Sequence, residues 1–170
     1  MMSQERPVLT IKKSIIDNIL DYLTIGLVCF IWVYSYMNFV KLPDYIPVHF
    51  NDLGFPNGYG SKQSIWIIPT IVTIVIVALR ILNHFPHKFN FLTNITAENA
   101  ERQYRLSIRL LRIISFNIAA LFNYIVYKEI QGALEGFSTL DWWFIPLLMT
   151  ALVVPTFWMM IVMSKNNTSK

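Results

Sequence analysis

Charged residues are scarce in this chain, and their scarcity limits the environments in which it can fold. Asp, Glu, Lys and Arg make up 14% of the 170 residues, whereas hydrophobic residues make up 55%. Soluble domains carry about a quarter of charged residues, so this chain lacks the groups that keep a water-facing surface hydrated. The single cysteine, Cys29, excludes an internal disulfide. The composition therefore predicts a protein whose surface largely faces lipid.

Several kinds of functional site are also missing from the sequence. The net charge of +4 comes with no nucleic-acid-binding motif, so no nucleic-acid partner is expected. Histidine, cysteine and carboxylate residues do not recur at the spacings of a metal site, so we expect no metal, no catalytic residues and no cofactor. No Asp, Glu, Lys or His lies in the middle of a long apolar run, which argues against a proton relay or an ion-coupled transporter.

Four long apolar runs are present, at residues 22–40, 65–82, 106–127 and 142–163. Each is close to the ~20 residues that a helix needs to cross the hydrocarbon core of a bilayer. We therefore predict an all-α membrane protein, a four-helix transmembrane bundle that forms one domain over residues 1–170, with helices at about 20–40, 65–83, 97–128 and 142–163. Within the third run, the amides of Asn117 and Asn123 are expected to hydrogen-bond across helices.

The basic residues are unevenly distributed along the chain. Three lie in the N-terminal tail, six between residues 80 and 112 and two in the C-terminal tail, whereas the first and third connections together hold three. Positive charge favours the cytoplasmic side of a membrane. Both termini and the second connection are therefore predicted to be cytoplasmic, and the first and third connections extracytoplasmic.

The first connection, residues 41–62, is the most patterned stretch of the chain. Its prolines favour extended backbone, and every second residue from Ile46 to Phe50 is apolar, as in a half-buried strand. The sequence Pro56-Asn57-Gly58 is a turn signal. We therefore predict an ordered extracytoplasmic loop between helices 1 and 2, whose apolar side chains fold back onto the helix ends.

Four polar side chains of this loop are candidates for binding a ligand or partner: His49, Asn51, Asp52 and Asn57. One interpretation is chemical, with His49 and a carboxylate binding a metal or acting as acid and base. The other is structural, with His49 and Asn51 hydrogen-bonding the loop's own backbone and fixing its shape. One histidine beside scattered carboxylates is a weak metal signal, so the structural interpretation is favoured.

The same loop resembles the signature of a known family. The signature is the string Leu42-Pro43-x-x-Ile46-Pro47-x-His49-Phe50-Asn51, followed by Gly54-x-Pro56-x-Gly58-x-Gly60-Ser61-Lys62. It resembles the bacterial membrane family known as domain of unknown function 1648, a domain that also forms the front part of SdpI-like toxin-immunity proteins. With similar residues further on, the resemblance covers about residues 42–111. It implies a short, multi-pass member in the bacterial cytoplasmic (inner) membrane, of undetermined activity.

Four arginines near the start of the third helix are spaced 3, 4 and 3 residues apart: Arg102, Arg105, Arg109 and Arg112. This spacing places them on one face of the helix. Such a face binds anionic lipid head groups and fixes topology. Alternatively, the last two arginines form a phosphate or partner site at the membrane interface, where an unpaired charge is costly. Their expected partners are Glu98, Glu101 or a lipid phosphate.

These features favour a non-enzymatic membrane protein that recognises an extracytoplasmic partner or ligand, of the sensor or immunity kind, through residues 42–62. Two alternatives stay open. One is a membrane-embedded enzyme or metal-binding protein that uses the His49 loop, and the other is an accessory subunit of a larger membrane complex. The expected partners are the lipid bilayer, anionic lipid head groups, and a membrane protein or an extracytoplasmic peptide.

Overall fold

A computed structural model describes residues 6–51, 53–136 and 140–165. Its helices are α1 (Ile15–Phe39), α2 (Ile67–Leu82), α3 (Ala100–Glu135) and α4 (Phe144–Lys165). Two strands lie between α1 and α2, namely β1 (Tyr45–Phe50) and β2 (Pro56–Ser61). Short 3-10 helices at Lys62–Trp66 and Pro86–Lys88 precede and follow α2.

The four helices are long and apolar enough to cross a membrane, with the turn at Lys62–Trp66 counted into the second span. Most of their apolar side chains lie on the outside of the bundle, and in α4 only 6% of the most apolar stretch is buried. A soluble protein rarely exposes an apolar surface of this extent, whereas lipid solvates it. The predicted four-helix transmembrane bundle is therefore confirmed.

The central helix is α3, which packs against the other three. The side-chain amide of Asn123 donates to the Leu27 carbonyl of α1 over 3.0 Å, and that of Asn117 donates to the Ala151 carbonyl of α4 over 2.5 Å. Both predicted interhelical hydrogen bonds are confirmed. They hold the helices together in lipid, where apolar surface gains little from leaving its solvent.

The starts of α1 and α3 and the ends of α2 and α4 lie at one end of the bundle, which we call the terminal end. There the Gln103 amide donates to the Met163 carbonyl over 3.1 Å, and the Tyr104 hydroxyl donates to the Pro7 carbonyl over 3.1 Å. The described parts of both tails thus lie at the same end. The strands lie at the opposite end, which we call the hairpin end.

Helices α1 and α3 extend several residues beyond their predicted bounds, and α4 ends two residues later than predicted, at Lys165. α1 already begins at Ile15, because the Ser14 hydroxyl accepts from the Asp17 N–H while the Asp17 carboxylate accepts from the Ser14 N–H. α3 continues to Glu135 and ends at Gly136, whose φ is 73°. The apolar runs mark only the lipid-crossing parts of these helices and leave out their polar ends.

The predicted ordered loop is an antiparallel hairpin of β1 and β2. It packs on a hydrophobic core at the hairpin end, formed by Ile31, Leu42, Ile46, Ile65, Val126 and Ile130. The expected inward position of every second residue holds for Ile46, which is fully buried, and is wrong for Val48, which is exposed. The strand pairing is irregular between Pro47 and His49, and such a bulge turns the following side chains away from the regular alternation.

Candidate functional site

Two of the predicted loop residues meet on the exposed side of the hairpin. His49 Nδ1 lies 2.5 Å from the Asn57 side-chain oxygen. An amide oxygen only accepts, so Nδ1 carries the hydrogen and Nε2 keeps a free lone pair. Gly58 pairs with His49 across the strands, and a Cβ at Gly58 would lie 3.0 Å from the His49 Cβ. The glycine therefore leaves the room that the imidazole needs.

Asn51 forms the turn at the tip of the hairpin. Its side-chain oxygen accepts from the Leu53 N–H over 3.0 Å and from the Phe55 N–H over 2.9 Å. Its own N–H donates to the Phe55 carbonyl over 2.8 Å. With its acceptor engaged twice inside the loop, Asn51 fixes the shape of the turn, which supports the structural interpretation for this residue. Asp52, the fourth predicted loop residue, lies outside the described residues.

The hairpin tip is tied to the connection between α3 and α4. The Leu140 N–H donates to the Gly54 carbonyl over 2.9 Å. Gly54 has a φ of 82°, and a Cβ there would lie 2.4 Å from the Leu140 carbonyl oxygen. Only glycine fits this left-handed backbone and this close approach. The tip is therefore fastened to the bundle by a contact that a larger residue would break.

One face of the hairpin is rich in exposed aromatic and polar side chains. Tyr45 pairs with Ser61, and the alternation along β2 places Asn57 and Tyr59 on the side of Ser61. Tyr45 and Tyr59 are 73% and 65% exposed. His49 pairs with Gly58, but its ring contacts the Asn57 side chain, so we group it with the other three and call the exposed residues Tyr45, His49, Asn57 and Tyr59 the hairpin face. It combines large aromatic surface with hydrogen-bonding groups, the composition that binding surfaces favour.

The four predicted arginines lie at the terminal end and divide into two pairs. Arg102 and Arg105 are exposed, and Arg105 forms an ion pair of 2.5 Å with Glu101 one helical turn earlier. Arg109 and Arg112 point into the bundle and contact neither of the glutamates expected for them. Instead, Arg109 Nε lies 3.1 Å from Asp17, and Arg112 Nε lies 3.1 Å from Asp21.

Asp17 and Asp21 of α1 are functional candidates that sequence reasoning missed. Both lie ahead of the first apolar run, so they look like parts of a tail. The available signal is the spacing from Ser14 to Asp17, which matches a capping box and predicts a helix start before both carboxylates. Once α1 is extended to Ile15, the two aspartates stand one turn apart on one face.

Asp21 is the meeting point of three cationic side chains. Lys13 Nζ lies 2.7 Å from its carboxylate, Arg112 Nε 3.1 Å and the Arg80 guanidinium 3.6 Å. A cavity of about 330 Å³ opens beside this cluster. We call it the basic cavity, and its polar lining consists of Lys13, Asp21, Arg80, Asn83, His84 and Arg112.

A buried carboxyl, Glu129, lies on α3 near the hairpin end. Its side chain is 3% exposed, and its Oε2 has no hydrogen-bond partner among the described residues. The sequence pattern does not single out Glu129, because the third apolar run stops at residue 127. No three His, Cys, Asp or Glu side chains lie together as a metal site needs within residues 6–51, 53–136 and 140–165.

Comparison with known proteins supports the resemblance in the loop. Residues 26–73 match the family described as domain of unknown function (DUF1648). An uncharacterized protein of Archaeoglobus fulgidus is 29% identical over 87 residues, which are 45% of this chain and 48% of that protein. The chain thus spans about half the length of this relative. No solved structure matches the chain.

The matched residues include the end of α1, the whole hairpin and the start of α2, so the predicted signature from Leu42 to Lys62 lies inside them. Residues 74–111, the second part of the predicted resemblance, lie outside the match. The chain is therefore a multi-pass membrane protein whose residues 26–73 are similar to the family described as domain of unknown function (DUF1648).

Proposed function

We propose that this chain is a non-enzymatic recognition protein of the sensor or immunity kind, which binds an extracytoplasmic protein or peptide through its hairpin face. In this proposal both termini are cytoplasmic and the hairpin faces the outside, as the distribution of basic residues predicts. The observation that carries the proposal is a hairpin fastened to the bundle that nevertheless exposes two large aromatic side chains, Tyr45 and Tyr59.

The attachment of the hairpin supports the proposal because a preorganised surface loses little conformational entropy on binding. Ile46 is buried in the core at one end of the hairpin, and Gly54 bonds to Leu140 at the tip. At the exit of β2, the Lys62 N–H donates to the Asp44 carbonyl over 2.9 Å, and the Lys62 ammonium lies 3.0 Å from the Asp44 carboxylate. Three anchors thus hold the hairpin face in one position.

The free edge of the hairpin adds a second means of recognition. The sheet has two strands, and β2 pairs only with β1 in the part of the chain that the structure describes. An unpaired strand edge offers N–H and C=O groups to an extended segment of another chain. An incoming peptide could therefore pair with β2 while its side chains contact Tyr59 and Asn57.

We also propose that the terminal end of the bundle contacts anionic lipid head groups. Arg102 and Arg105 are exposed at the terminal end, where anionic lipid attracts basic side chains that reach the membrane surface. This contact would fix the orientation of the bundle and does not compete with recognition by the hairpin.

The test is site-specific photocrosslinking in intact cells. A photoreactive phenylalanine analogue replaces Tyr45 or Tyr59, and in a separate protein it replaces Tyr36 of α1, which is equally exposed at 74% but lies in the first span. We expect one discrete protein adduct from the two hairpin positions and no such adduct from Tyr36. Tyr45→Ala is combined with the crosslinker at position 59, and Tyr59→Ala with the crosslinker at position 45. Each substitution is expected to reduce the yield of that adduct.

A topology measurement completes the test. Asn57→Cys in a Cys29→Ser background is expected to react with a membrane-impermeant maleimide added outside the cell, whereas a tag at the C-terminus stays protected. Hairpin crosslinks to lipid alone, or labelling of position 57 only after the membrane is opened, would contradict the proposal.

A further inference from the structure

We propose that the basic cavity at the terminal end binds the phosphate group of a ligand that also carries a hydroxyl donor. This site is separate from the hairpin face and lies at the opposite end of the bundle. It stands on three observations: an enclosed space, an excess of positive charge in its lining, and a buried polar atom of the lining without a partner.

The walls of the basic cavity come from four parts of the chain. The N-terminal segment supplies residues 8–11 and Lys13, α1 supplies Asp21, the end of α2 supplies Arg80, and α3 supplies Ile108 and Arg112. The N-terminal segment is held across the cavity by Arg6, whose guanidinium donates to the Phe89 carbonyl over 2.6 Å. The volume of about 330 Å³ is at the lower end of what small-ligand pockets offer.

The charge of the lining is unbalanced. Lys13, Arg80 and Arg112 share the single carboxylate of Asp21. The second nearby carboxylate, Asp17, lies 3.1 Å from Arg109, so it is largely compensated by a fourth cation. Three cations around one anion leave an excess of positive charge facing the cavity. An anion placed among them would complete the pairing, and arginine and lysine are the side chains that bind phosphate most often.

The neutral polar groups of the lining indicate that the ligand also carries a hydrogen-bond donor. The Asn83 side-chain oxygen is buried and has no hydrogen-bond partner within the described residues. His84 Nδ1 lies 3.0 Å from the Arg80 carbonyl, so this nitrogen donates to the backbone. An unpartnered acceptor, the Asn83 oxygen, beside an excess of cations fits a ligand that combines a phosphate with a hydroxyl hydrogen.

Two sources offer this chemistry. A lipid with a phosphoglycerol head group could insert the head group from the membrane, since the cavity adjoins the ends of membrane-spanning helices. A soluble phosphate ester could enter from the aqueous side. Both would place the phosphate between Arg80 and Lys13 and a hydroxyl at Asn83.

The experiment measures binding of defined probes to the full chain in mild detergent. Native mass spectrometry with phosphatidylglycerol and with phosphatidylcholine of the same acyl chains tests the lipid source. Calorimetric titration with sn-glycerol 3-phosphate and with inorganic phosphate tests the soluble source. We expect at least one phosphate ligand with a hydroxyl to bind more tightly than phosphatidylcholine. Preference for the lipid or for the soluble ester then identifies the source.

The variants separate the cavity from general surface charge. Arg80→Gln and Lys13→Gln each remove one cation from the lining and leave Asp21 paired with Arg112, and each is expected to weaken binding about tenfold. Lys12→Gln removes the same charge from an exposed residue next to Lys13 that does not line the cavity, and it is expected to change binding less than about twofold. If Arg80→Gln fails to fold, Lys13→Gln alone tests the cavity, because Lys13 precedes α1 and is half exposed.

Two results would overturn the proposal. One is that neither hydroxyl-bearing phosphate binds the unchanged protein better than phosphatidylcholine does. The other is that Lys12→Gln weakens binding as much as the two cavity variants do, which would mean that surface charge alone attracts the ligand.

Discussion

The Arg112 Nε donates to Asp21 over 3.1 Å and joins α3 to α1 where the two side chains are only 10% and 12% exposed. The same guanidinium lies 3.6 Å from Asp17, so one arginine holds both carboxylates of the first helix. Most of the surface of both side chains is covered by protein. Arg112 contacts both carboxylates, so its removal takes compensating charge from two largely buried anions at once, although Lys13 and Arg80 still contact Asp21 and Arg109 still contacts Asp17.

Arg112→Gln is therefore expected to lower the free energy of unfolding by about 3 kcal/mol. The matched control is Arg105→Gln on the same helix, whose ion pair with Glu101 is exposed and is expected to contribute less than about 1 kcal/mol. Reversible denaturant unfolding in mild detergent measures both. Equal, small losses in the two variants would show that water screens the Arg112 cluster as it screens a surface pair.

Much of the architecture could be predicted from the sequence because lipid imposes a simple rule. A run of ~20 apolar residues becomes a helix in a bilayer, whatever its neighbours are. The four spans follow from this rule. That Asn117 and Asn123 bond across helices follows from the need of a polar amide for a partner in lipid, whereas their partners, Ala151 and Leu27, come from the packing. The polar starts and ends of the helices do not follow, because they depend on capping and packing, as Ser14 and Gly136 show.

The candidate sites were harder to predict because they combine residues distant in sequence. The arginine spacing predicts a shared helix face, yet nothing local indicates that Arg109 and Arg112 face Asp17 and Asp21 some ninety residues away. The same holds for Gly54. It must lack a side chain because a Cβ there would clash with Leu140, which is distant in sequence. Turn residues such as Asn51, by contrast, act on their immediate neighbours and could be interpreted correctly.

The contact between Gly54 and Leu140 gives a prediction about the hairpin. Gly54→Ala places a Cβ 2.4 Å from the Leu140 oxygen on a backbone with a φ of 82°. We expect the tip to detach from the connection between α3 and α4. Hydrogen exchange of the amides in β1 and β2 should then become faster, and the free energy of unfolding should fall by about 2 kcal/mol or more.

Gly136→Ala is the control for this prediction, because Gly136 also has a positive φ, 73°, but no atom of the described residues lies within 4 Å of its would-be Cβ. It should cost only the backbone strain of about 1 kcal/mol and leave the exchange of the hairpin unchanged. If the two variants behaved alike, the clash with Leu140 would not be what holds the tip.

Glu129 gives a prediction in which the substitution raises the stability of the protein. Its Oε2 is buried and has no partner among the described residues, and an unsatisfied buried acceptor costs about 1–3 kcal/mol. Glu129→Met has similar length without the acceptor, and we expect it to raise the melting temperature by a few degrees. Glu135→Met, at the exposed end of the same helix, should change it little. A clear loss of stability in Glu129→Met would show that the carboxyl has a partner, and would make it a candidate for a functional group.

The connection before α4 contains a carboxylate whose titration can be observed as a change in stability. The Tyr124 hydroxyl donates to Asp141, and Lys128 lies 3.3 Å from it. Mainly through the Tyr124 hydrogen bond, with help from Lys128, the pKa of Asp141 is lowered below its usual value of 3.8. A group with a lowered pKa in the folded state stabilises the protein above its unfolded pKa, and this contribution is lost as the pH falls through the folded pKa.

Tyr124→Phe removes the main cause of this shift, so the variant should melt at a lower temperature than the unchanged protein above about pH 5. The gap between the two melting temperatures should narrow as the pH falls below 3.8, because protonated Asp141 no longer favours the hydroxyl as a partner. Tyr127→Phe makes the same chemical change one turn away, at a residue whose ring is tilted against that of Tyr34. The difference between its melting temperature and that of the unchanged protein should not depend on pH over this range. A Tyr124→Phe gap that stays constant from pH 6 to pH 3 would mean that the hydroxyl stabilises the connection by packing alone and not through the charge of Asp141.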